Sequence, residues 1–238
     1  MLVAIALVAL VLIAGGVWHG KAQAPREPLP LFTSLPIYWP EASDLATTLK
    51  GEQPPHWART AIEAQRALRP VATLDAAALA GSRDLLMIQP RPLSPAENVA
   101  LDAWVAGGGR VLLFADPALT AASSFALGDR RRPQDIVLLS PILARWGLRL
   151  EFDAGQAAGE HAVALGEGLV LPVNLPGGFA SLAGGRPDAS CRIEAEGLVA
   201  DCRIGSGRVL AIADAALFEP ADEPSRATAL DAMLARAF

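Results

Sequence analysis

The sequence predicts an α/β domain built on a largely parallel, open sheet that is flanked by helices and carries an antiparallel β insertion. Three observations support this class: two continuous apolar runs, a well-delimited helix between them, and a cysteine-bounded segment with the pattern of a hairpin. Continuous apolar runs are typical of strands buried on both faces of a parallel sheet. A chain of 238 residues is long enough to bury a sizeable core in such a domain.

The clearest element is a strand, helix and strand in succession. The runs 84–90 and 110–117 are predicted as the two buried strands, and "SPAENVALDAWVAGGG" between them is predicted as a helix. Ser94 as N-cap and Glu97 three residues later form a capping box, and the glycines at 107–109 end the helix. At this length the three elements form a βαβ unit, so the two strands are parallel.

Further elements are predicted along the rest of the chain. They are a strand within 29–39, a helix over 55–70, a short strand and helix within 71–81, a helix over 140–147, a half-exposed strand over 148–153, paired strands within 161–179, a buried strand over 208–218 and a closing helix over 225–238. Together they predict a parallel core of about five strands, with the antiparallel insertion before the last of them.

The segment "CRIEAEGLVADC" predicts a hairpin that turns at Glu196 and Gly197. Folding about that turn places Cys191 opposite Cys202 on an apolar face and pairs opposite charges on the other face. Cysteines directly opposite across antiparallel strands have about the Cα spacing of a disulfide, and such a bond would suit an oxidising compartment. The alternative is a pair of small buried hydrophobic side chains.

The N-terminus predicts a membrane anchor. Leu2–Trp18 carries no charge, and Trp18 is suited to the membrane interface. We therefore divide the chain into a transmembrane helix (1–19), a Pro-rich linker (20–28) and the α/β domain (29–238). A cleaved signal peptide is the alternative, although Pro25 would then follow the cleavage site. Because Lys21 and Arg26 follow the apolar run, positive-inside counting would place the domain in the cytoplasm.

Composition excludes several functional classes. A formal net charge of −5 and 5% aromatic residues argue against nucleic-acid binding. The chain contains neither G-x-C-x-G nor G-x-S-x-G, and it has no metal-binding motif and no phosphate-binding glycine loop. Its three histidines stand far apart, and His56 is interpreted as a solvated residue at a helix start. We therefore expect no catalysis and no cofactor.

Two aspartates are candidate ligand-binding residues. The segments "GGGRVLLFADPAL" at 107–119 and "GSGRVLAIADAAL" at 205–217 share one pattern, in which Asp116 and Asp214 each follow an apolar run. Ligands of open α/β sheets bind beyond the carboxyl ends of strands, so these carboxylates could share a crevice and bind a cation or hydroxyl groups. The alternative interpretation is that each aspartate caps the turn that follows it.

A second candidate lies after the first predicted strand. Tyr38, Trp39 and Glu41 stand in a Pro-bounded loop, and aromatic rings beside a carboxylate can grip a sugar or a peptide. Packing within the core or the loop is the alternative. The run "DRRRPQD" at 129–135 could dock an acidic partner, although a solvated loop is the default interpretation.

Three motifs in order resemble a known family. "QPRPLSPAENVALDAWVAGGGRVLLFADPAL", "LSPILARWGLRLE" and "GSGRVLAIADAALF" are similar to the auxiliary domain of gliding-motility-type (Gld-like) ABC transport systems. The resemblance implies a flavodoxin- or class I glutamine amidotransferase-like fold that lacks the nucleophile, held on the extracytoplasmic side and not catalytic. It also implies ABC permease or ATPase subunits as partners.

The leading hypothesis is a single-pass inner-membrane protein whose domain faces the periplasm and binds a partner or small ligand without catalysis. One alternative is a hydrolase or transferase that uses Asp116 and Asp214. A third hypothesis is a scaffold facing the cytoplasm, which predicts free thiols at Cys191 and Cys202.

Overall fold

A computed structural model of the chain describes residues 26–41, 54–166, 168–219 and 224–238. Among those residues, no helix is long and apolar enough to cross a membrane. The predicted transmembrane segment Leu2–Trp18 lies outside the described residues.

One seven-stranded sheet forms the centre of the domain. Its strands are β1 (Pro28–Thr33), β2 (Ala67–Pro70), β3 (Asp84–Ile88), β4 (Arg110–Phe114), β9 (Ala189–Glu194), β10 (Val199–Ile204) and β11 (Gly207–Ile212). Their spatial order is β2-β1-β3-β4-β11-β10-β9. The first five strands in this order are mutually parallel, β10 is antiparallel to β11, and β9 is antiparallel to β10. The parallel core has five strands as predicted, but β2 lies at 67–70 and not within 71–81, where the short strand was expected.

Helices flank this sheet. They are α1 (Trp57–Gln65), α2 (Ala76–Leu79), α3 (Pro95–Ala106), α4 (Ser140–Arg145) and α5 (Pro224–Ala237). Helix α1 contacts α5, while α2 and α4 contact α3. All five residues of β3 are buried, as expected for a strand covered on both faces. The Ser94–Glu97 capping box at the start of α3 is present as predicted.

The insertion between β4 and β11 forms two small sheets and one hairpin. Strand β5 (Leu148–Glu151) pairs with β8 (Gly178–Ser181), and β6 (His161–Ala164) pairs with β7 (Val170–Val173). The β9–β10 hairpin instead extends the main sheet by joining β11. The strands of the antiparallel insertion are thus divided between the central sheet and the two small sheets.

The region around Pro70 differs from the prediction. The helix expected over 55–70 ends at Gln65, and 67–70 forms strand β2. Parallel pairing with β1 and burial of Leu68 outweigh the helical pattern here. Proline is tolerated at Pro70 because β2 is an edge strand.

The β9–β10 hairpin has the predicted register. Cys191 pairs with Cys202, and the Sγ atoms of these residues are bonded at 1.97 Å. The turn is longer than the predicted two residues, since the ladder ends at Glu194 and Val199. Gly197 has a φ of +101°, and a Cβ there would lie 3.1 Å from the Gly178 Cα. Close approach to β8 therefore shapes this turn.

Candidate functional site

Asp116 and Asp214 lie side by side at the carboxyl edge of the sheet. Strands β4 and β11 are parallel neighbours, with Arg110 opposite Arg208 and Phe114 opposite Ile212. The same register, continued two residues past each strand, places Asp116 level with Asp214. The two similar segments of the sequence are thus adjacent strands in register.

Each of the four carboxylate oxygens accepts a backbone N–H. Asp116 accepts from Ala118 at 2.7 Å and from Ala215 on the neighbouring strand end at 3.2 Å. Asp214 accepts from Ala216 at 2.6 Å and from Asn174 at 3.0 Å. In each case one bond spans two residues and forms an Asx turn, while the other joins separate segments. This arrangement supports the capping interpretation.

Burial makes both carboxyl groups hard to ionise. Asp116 is 0% exposed and Asp214 is 2% exposed. Desolvation raises the pKa of Asp116 to about 6, despite the hydrogen bonds from Ala118 and Ala215. Desolvation, followed by repulsion from the Asp116 charge, raises the pKa of Asp214 to about 8. Glu219 adds a smaller repulsion to both groups. The described residues nevertheless contain no His, Cys, Asp and Glu cluster arranged to hold a metal ion.

Gln89 ties the end of β3 to the same region. Its Oε1 accepts from the Asp116 N–H at 2.9 Å, and its Nε2 donates to the Asp116 carbonyl at 3.0 Å. Nε2 also donates to the Gln134 carbonyl at 2.8 Å. Gln89 is fully buried and has a φ of 41°, an uncommon conformation for a residue with a side chain. Gln89 was not predicted from the sequence, because nothing in the neighbouring residues marks a glutamine in the left-handed conformation.

An open cleft lies beyond the carboxyl ends of β1 and β2. Its volume is about 450 Å³, and its lining includes Tyr38, Trp39, Glu41, Phe125 and Arg131. The structure therefore brings together the three residues predicted in the loop after β1. It does not bring them together with Asp116 and Asp214, which are not among the residues lining this cleft. The predicted candidates form two separate groups.

The aromatic residues of the cleft are held in a defined arrangement. Tyr38 and Trp39 meet edge to face with ring centroids 4.8 Å apart. The Arg59 guanidinium lies 4.1 Å from the Tyr38 ring centroid and donates to the Tyr38 carbonyl at 2.9 Å. Trp39 remains 67% exposed. An exposed indole beside a fixed ring is suited to contact with a flat apolar group.

Glu41 fastens the loop after β4 to the cleft. Its carboxylate accepts from the Ser123 hydroxyl at 2.7 Å and from the N–H and hydroxyl of Ser124 at 2.7 and 2.8 Å. Partial burial raises the pKa of Glu41, but these hydrogen bonds outweigh it and lower the pKa below its usual value. Glu41 is therefore ionised and positions the opposite wall.

The opposite wall of the cleft, which contains Phe125 and Arg131, was not predicted from the sequence. The Arg131 guanidinium lies 4.2 Å from the Phe125 ring centroid and pairs with Asp129 at 2.7 Å. Arg131 belongs to the run interpreted as a solvated loop. Two sets of contacts bring this part of the chain to the cleft: Glu41 accepts from Ser123 and Ser124, and Ser34 accepts from the Gln134 N–H at 3.0 Å. A contact between residues this far apart in the chain leaves no local pattern.

His56 also differs from its interpretation as a solvated residue. Its Nδ1 accepts from the Ala58 N–H at 3.1 Å, so Nε2 carries the proton and donates to the Phe218 carbonyl at 3.1 Å. Burial lowers the pKa of His56, although the Phe218 carbonyl opposes this. The neutral imidazole is an N-cap that ties α1 to the segment after β11.

These features define a class of protein: a doubly wound α/β domain whose parallel strands follow the order 2-1-3-4-5, with a cleft at the carboxyl edge. No protein-family profile matches the sequence, and no curated protein matches it either.

Several solved structures are similar to this chain. The exo-β-1,4-mannosidase Op5Man5 from Opitutaceae bacterium strain TAV5 matches with a TM-score of 0.51 and 13% identity, over 89% of this chain and 35% of that one. A cold-adapted β-galactosidase from Rahnella sp. R3 matches with a TM-score of 0.49 and 12% identity, over 89% and 31%. A putative ThuA-like protein from Bacteroides uniformis ATCC 8492 matches with a TM-score of 0.44 and 12% identity, over 90% and 93%. The chain spans about a third of the length of the two glycosidases. The mannosidase likeness shows the fold alone.

Proposed function

We propose that this chain is a membrane-anchored, non-catalytic binding domain that faces the periplasm and serves an ABC-type transport or envelope system. The observation that carries the binding role is the aromatic cleft at the carboxyl edge, where doubly wound sheets hold their ligands. The transport context rests on the three ordered sequence motifs, and the anchor rests on the apolar segment Leu2–Trp18.

The strand ends favour binding over catalysis. An amidotransferase-like enzyme needs a nucleophile on a sharp turn after a strand. In this chain the left-handed residue after β3 is Gln89, whose amide is not a nucleophile and is fully engaged by backbone groups. The fold we propose is thus amidotransferase-like without the catalytic residue.

The side chains that line the cleft limit the kinds of ligand that it can bind. One wall offers the exposed Trp39 and the edge of Tyr38, and the other offers Phe125 under the Arg131 guanidinium. Such walls favour a ligand with flat apolar faces, such as a sugar ring or the proline and aromatic side chains of a peptide segment.

The hydrolase or transferase hypothesis retains one supporting observation. Asp116 and Asp214 are adjacent carboxyl groups with raised pKa values, as general acids and bases often are. Against it, both side chains are buried and every carboxylate oxygen already accepts a backbone N–H. A substrate would have to displace these bonds, so we place this function second.

Crosslinking from the cleft tests the binding role. A photoreactive amino acid replaces Trp39 in the full chain, in cells, and the matched control replaces Val99, which is 70% exposed on the outer face of α3. We expect a discrete adduct at position 39, with the mass of a partner protein or a small ligand, and at least about fivefold less of it at position 99. Adducts of equal yield and identity at the two positions would contradict binding in the cleft.

A further inference from the structure

A second concave surface lies at the opposite, amino edge of the sheet. This basic groove has a volume of about 730 Å³. Its lining comprises Arg83, Arg110, Arg192, Arg203, Arg208, Asp201, Ser190, Ser206, Cys191, Gly108, Gly205 and Gly207. Five guanidinium groups and one carboxylate thus line the groove, although the formal net charge of the whole chain is −5.

The strand register gathers these arginines. Arg110 begins β4 and lies opposite Arg208 on β11, which in turn lies opposite Arg203 on β10. Arg203 lies opposite Ser190 on β9. Paired residues of adjacent strands project from the same face, so the sheet aligns three arginines in one row. Arg83 directly precedes β3 and stands at the same edge.

Two of the five arginines form ion pairs that stabilise the fold, and two others have no carboxylate partner among the residues that the structure describes. Arg110 pairs with Asp84 at 2.6 Å and donates to the Phe238 carbonyl. Arg208 pairs with Asp201 at 2.8 Å and donates to the Arg236 carbonyl at 2.6 Å. Within the described ranges, Arg83 and Arg203 form no ion pair or hydrogen bond through their side chains, and both are exposed. Arg192 is 74% exposed and pairs with Glu194.

The groove also offers two unengaged hydroxyl donors. Within the described residues, neither the Ser190 nor the Ser206 side chain makes a hydrogen bond, and both line the groove beside Arg203. Free guanidinium and hydroxyl donors in one concave surface are complementary to an oxyanion such as a phosphate group.

The domain begins at the same edge of the sheet as the basic groove, so the predicted anchor is connected to the domain at this edge. Strand β1 begins at Pro28, and Leu31 of β1 pairs with Leu86 of β3. Pro28 and Arg83 each lie the same number of residues before these paired leucines. The domain therefore starts at the amino edge, level with Arg83. Residues 19–27 separate this point from the apolar segment Leu2–Trp18 and span at most about 30 Å when extended.

We propose that the basic groove binds the phosphate groups of anionic phospholipids and so turns the amino edge of the sheet toward the membrane. The inference rests on the proposed membrane anchoring, but not on which side of the membrane the domain occupies. Anionic headgroups attract arginines near a bilayer surface, and the short linker keeps the groove within their reach. The aromatic cleft, at the opposite edge, then points away from the membrane and stays open to its ligand.

Lipid-dependent quenching tests this orientation. The full chain is reconstituted into nanodiscs of phosphatidylcholine alone or with phosphatidylglycerol, each containing headgroup spin-labelled lipid. A fluorophore is attached to Ser82→Cys, next to Arg83, or to Leu127→Cys, which is 81% exposed. We expect phosphatidylglycerol to increase quenching at position 82 at least about twofold, to leave position 127 unchanged, and to lose its effect at high salt.

Matched variants assign the effect to the groove. Arg83→Gln with Arg203→Gln should abolish the phosphatidylglycerol effect, whereas Arg130→Gln with Arg149→Gln, which removes the same charge elsewhere, should preserve it. Equal quenching in both lipids, or an unchanged effect in the groove variant, would overturn the proposal. Equal quenching in both lipids, together with saturable binding of inorganic phosphate that the groove variant loses, would overturn it in favour of a site for free phosphate. A chain that fails to enter either nanodisc would refute the anchor itself, a result distinct from the others.

Discussion

Replacing Asp116 with alanine is expected to lower the free energy of unfolding by about 2–4 kcal/mol at a pH near 5. The loss arises because the N–H groups of Ala215, which is buried, and of Ala118, which is partly buried, then lose their acceptor, and each unpaired buried donor costs about 1–3 kcal/mol. Asp214→Ala removes the acceptor of Ala216 and Asn174 in the same way and should cost a similar amount. Chemical denaturation measures both.

A surface turn provides the control. Asp153 accepts from the Gly155 N–H at 2.8 Å in the same two-residue spacing, but it lies on the surface. The free energy of unfolding of Asp153→Ala should therefore be close to that of the parent chain, because water replaces the lost acceptor. Parent-like stability of the Asp116 and Asp214 alanine variants would refute the capping role. Asparagine variants that keep their stability but lose function would instead support the hydrolase or transferase hypothesis.

Stability is expected to fall as the pH rises from about 6.5 to about 8, by up to about 1.4 kcal/mol per pH unit, and Asp214→Asn should remove this dependence. The sign follows from burial, which raises the pKa of Asp214 from 3.8 to about 8. In this range the unfolded chain has released the proton while the folded chain still holds it. Ionisation therefore favours unfolding until the pH passes the folded-state pKa. Above that pKa, Asp214→Asn should be more stable than the parent chain.

This pH range separates the titration of Asp214 from that of Asp116 and His56. Asp116 contributes at lower pH, because its pKa is raised only to about 6, and burial lowers the pKa of His56 below 6.5. Asp201 is the matched control, since its pKa is lowered chiefly by the hydrogen bond from Arg208. Asp201→Asn should leave the slope between these pH values unchanged. A parent chain with a flat or rising profile in this range would show that Asp214 is not held protonated.

Local patterns determined how much of the fold could be predicted. The β3–α3–β4 unit carries its own caps and apolar runs, so its elements follow from neighbouring residues. The hairpin register followed from charges and cysteines facing one another across one turn. Strand β2 was missed because "ALRP" gains its strand conformation only from pairing with β1.

The candidate site depends on contacts that the sequence does not mark. Asp116 and Asp214 are neighbours because β4 pairs with β11, and two similar segments suggest such a pairing without determining it. Burial then decides the chemistry of the pair, because exposed carboxylates in the same places would be available to a ligand. The cleft wall of Phe125 and Arg131 depends on Glu41 contacting a loop far along the chain.

The location of the domain is the central claim, because the binding role in the envelope depends on it. In the full chain, alkaline phosphatase or a cytoplasmic fluorescent protein is fused after Phe238, and Cys191 and Cys202 are tested with a membrane-impermeant thiol reagent before and after reduction. We predict active phosphatase, a dark fluorescent protein, and thiols that react only after the disulfide between these two residues is reduced. A fluorescent fusion with inactive phosphatase and free thiols would place the domain in the cytoplasm, as the charges of Lys21 and Arg26 alone would indicate, and would contradict the account.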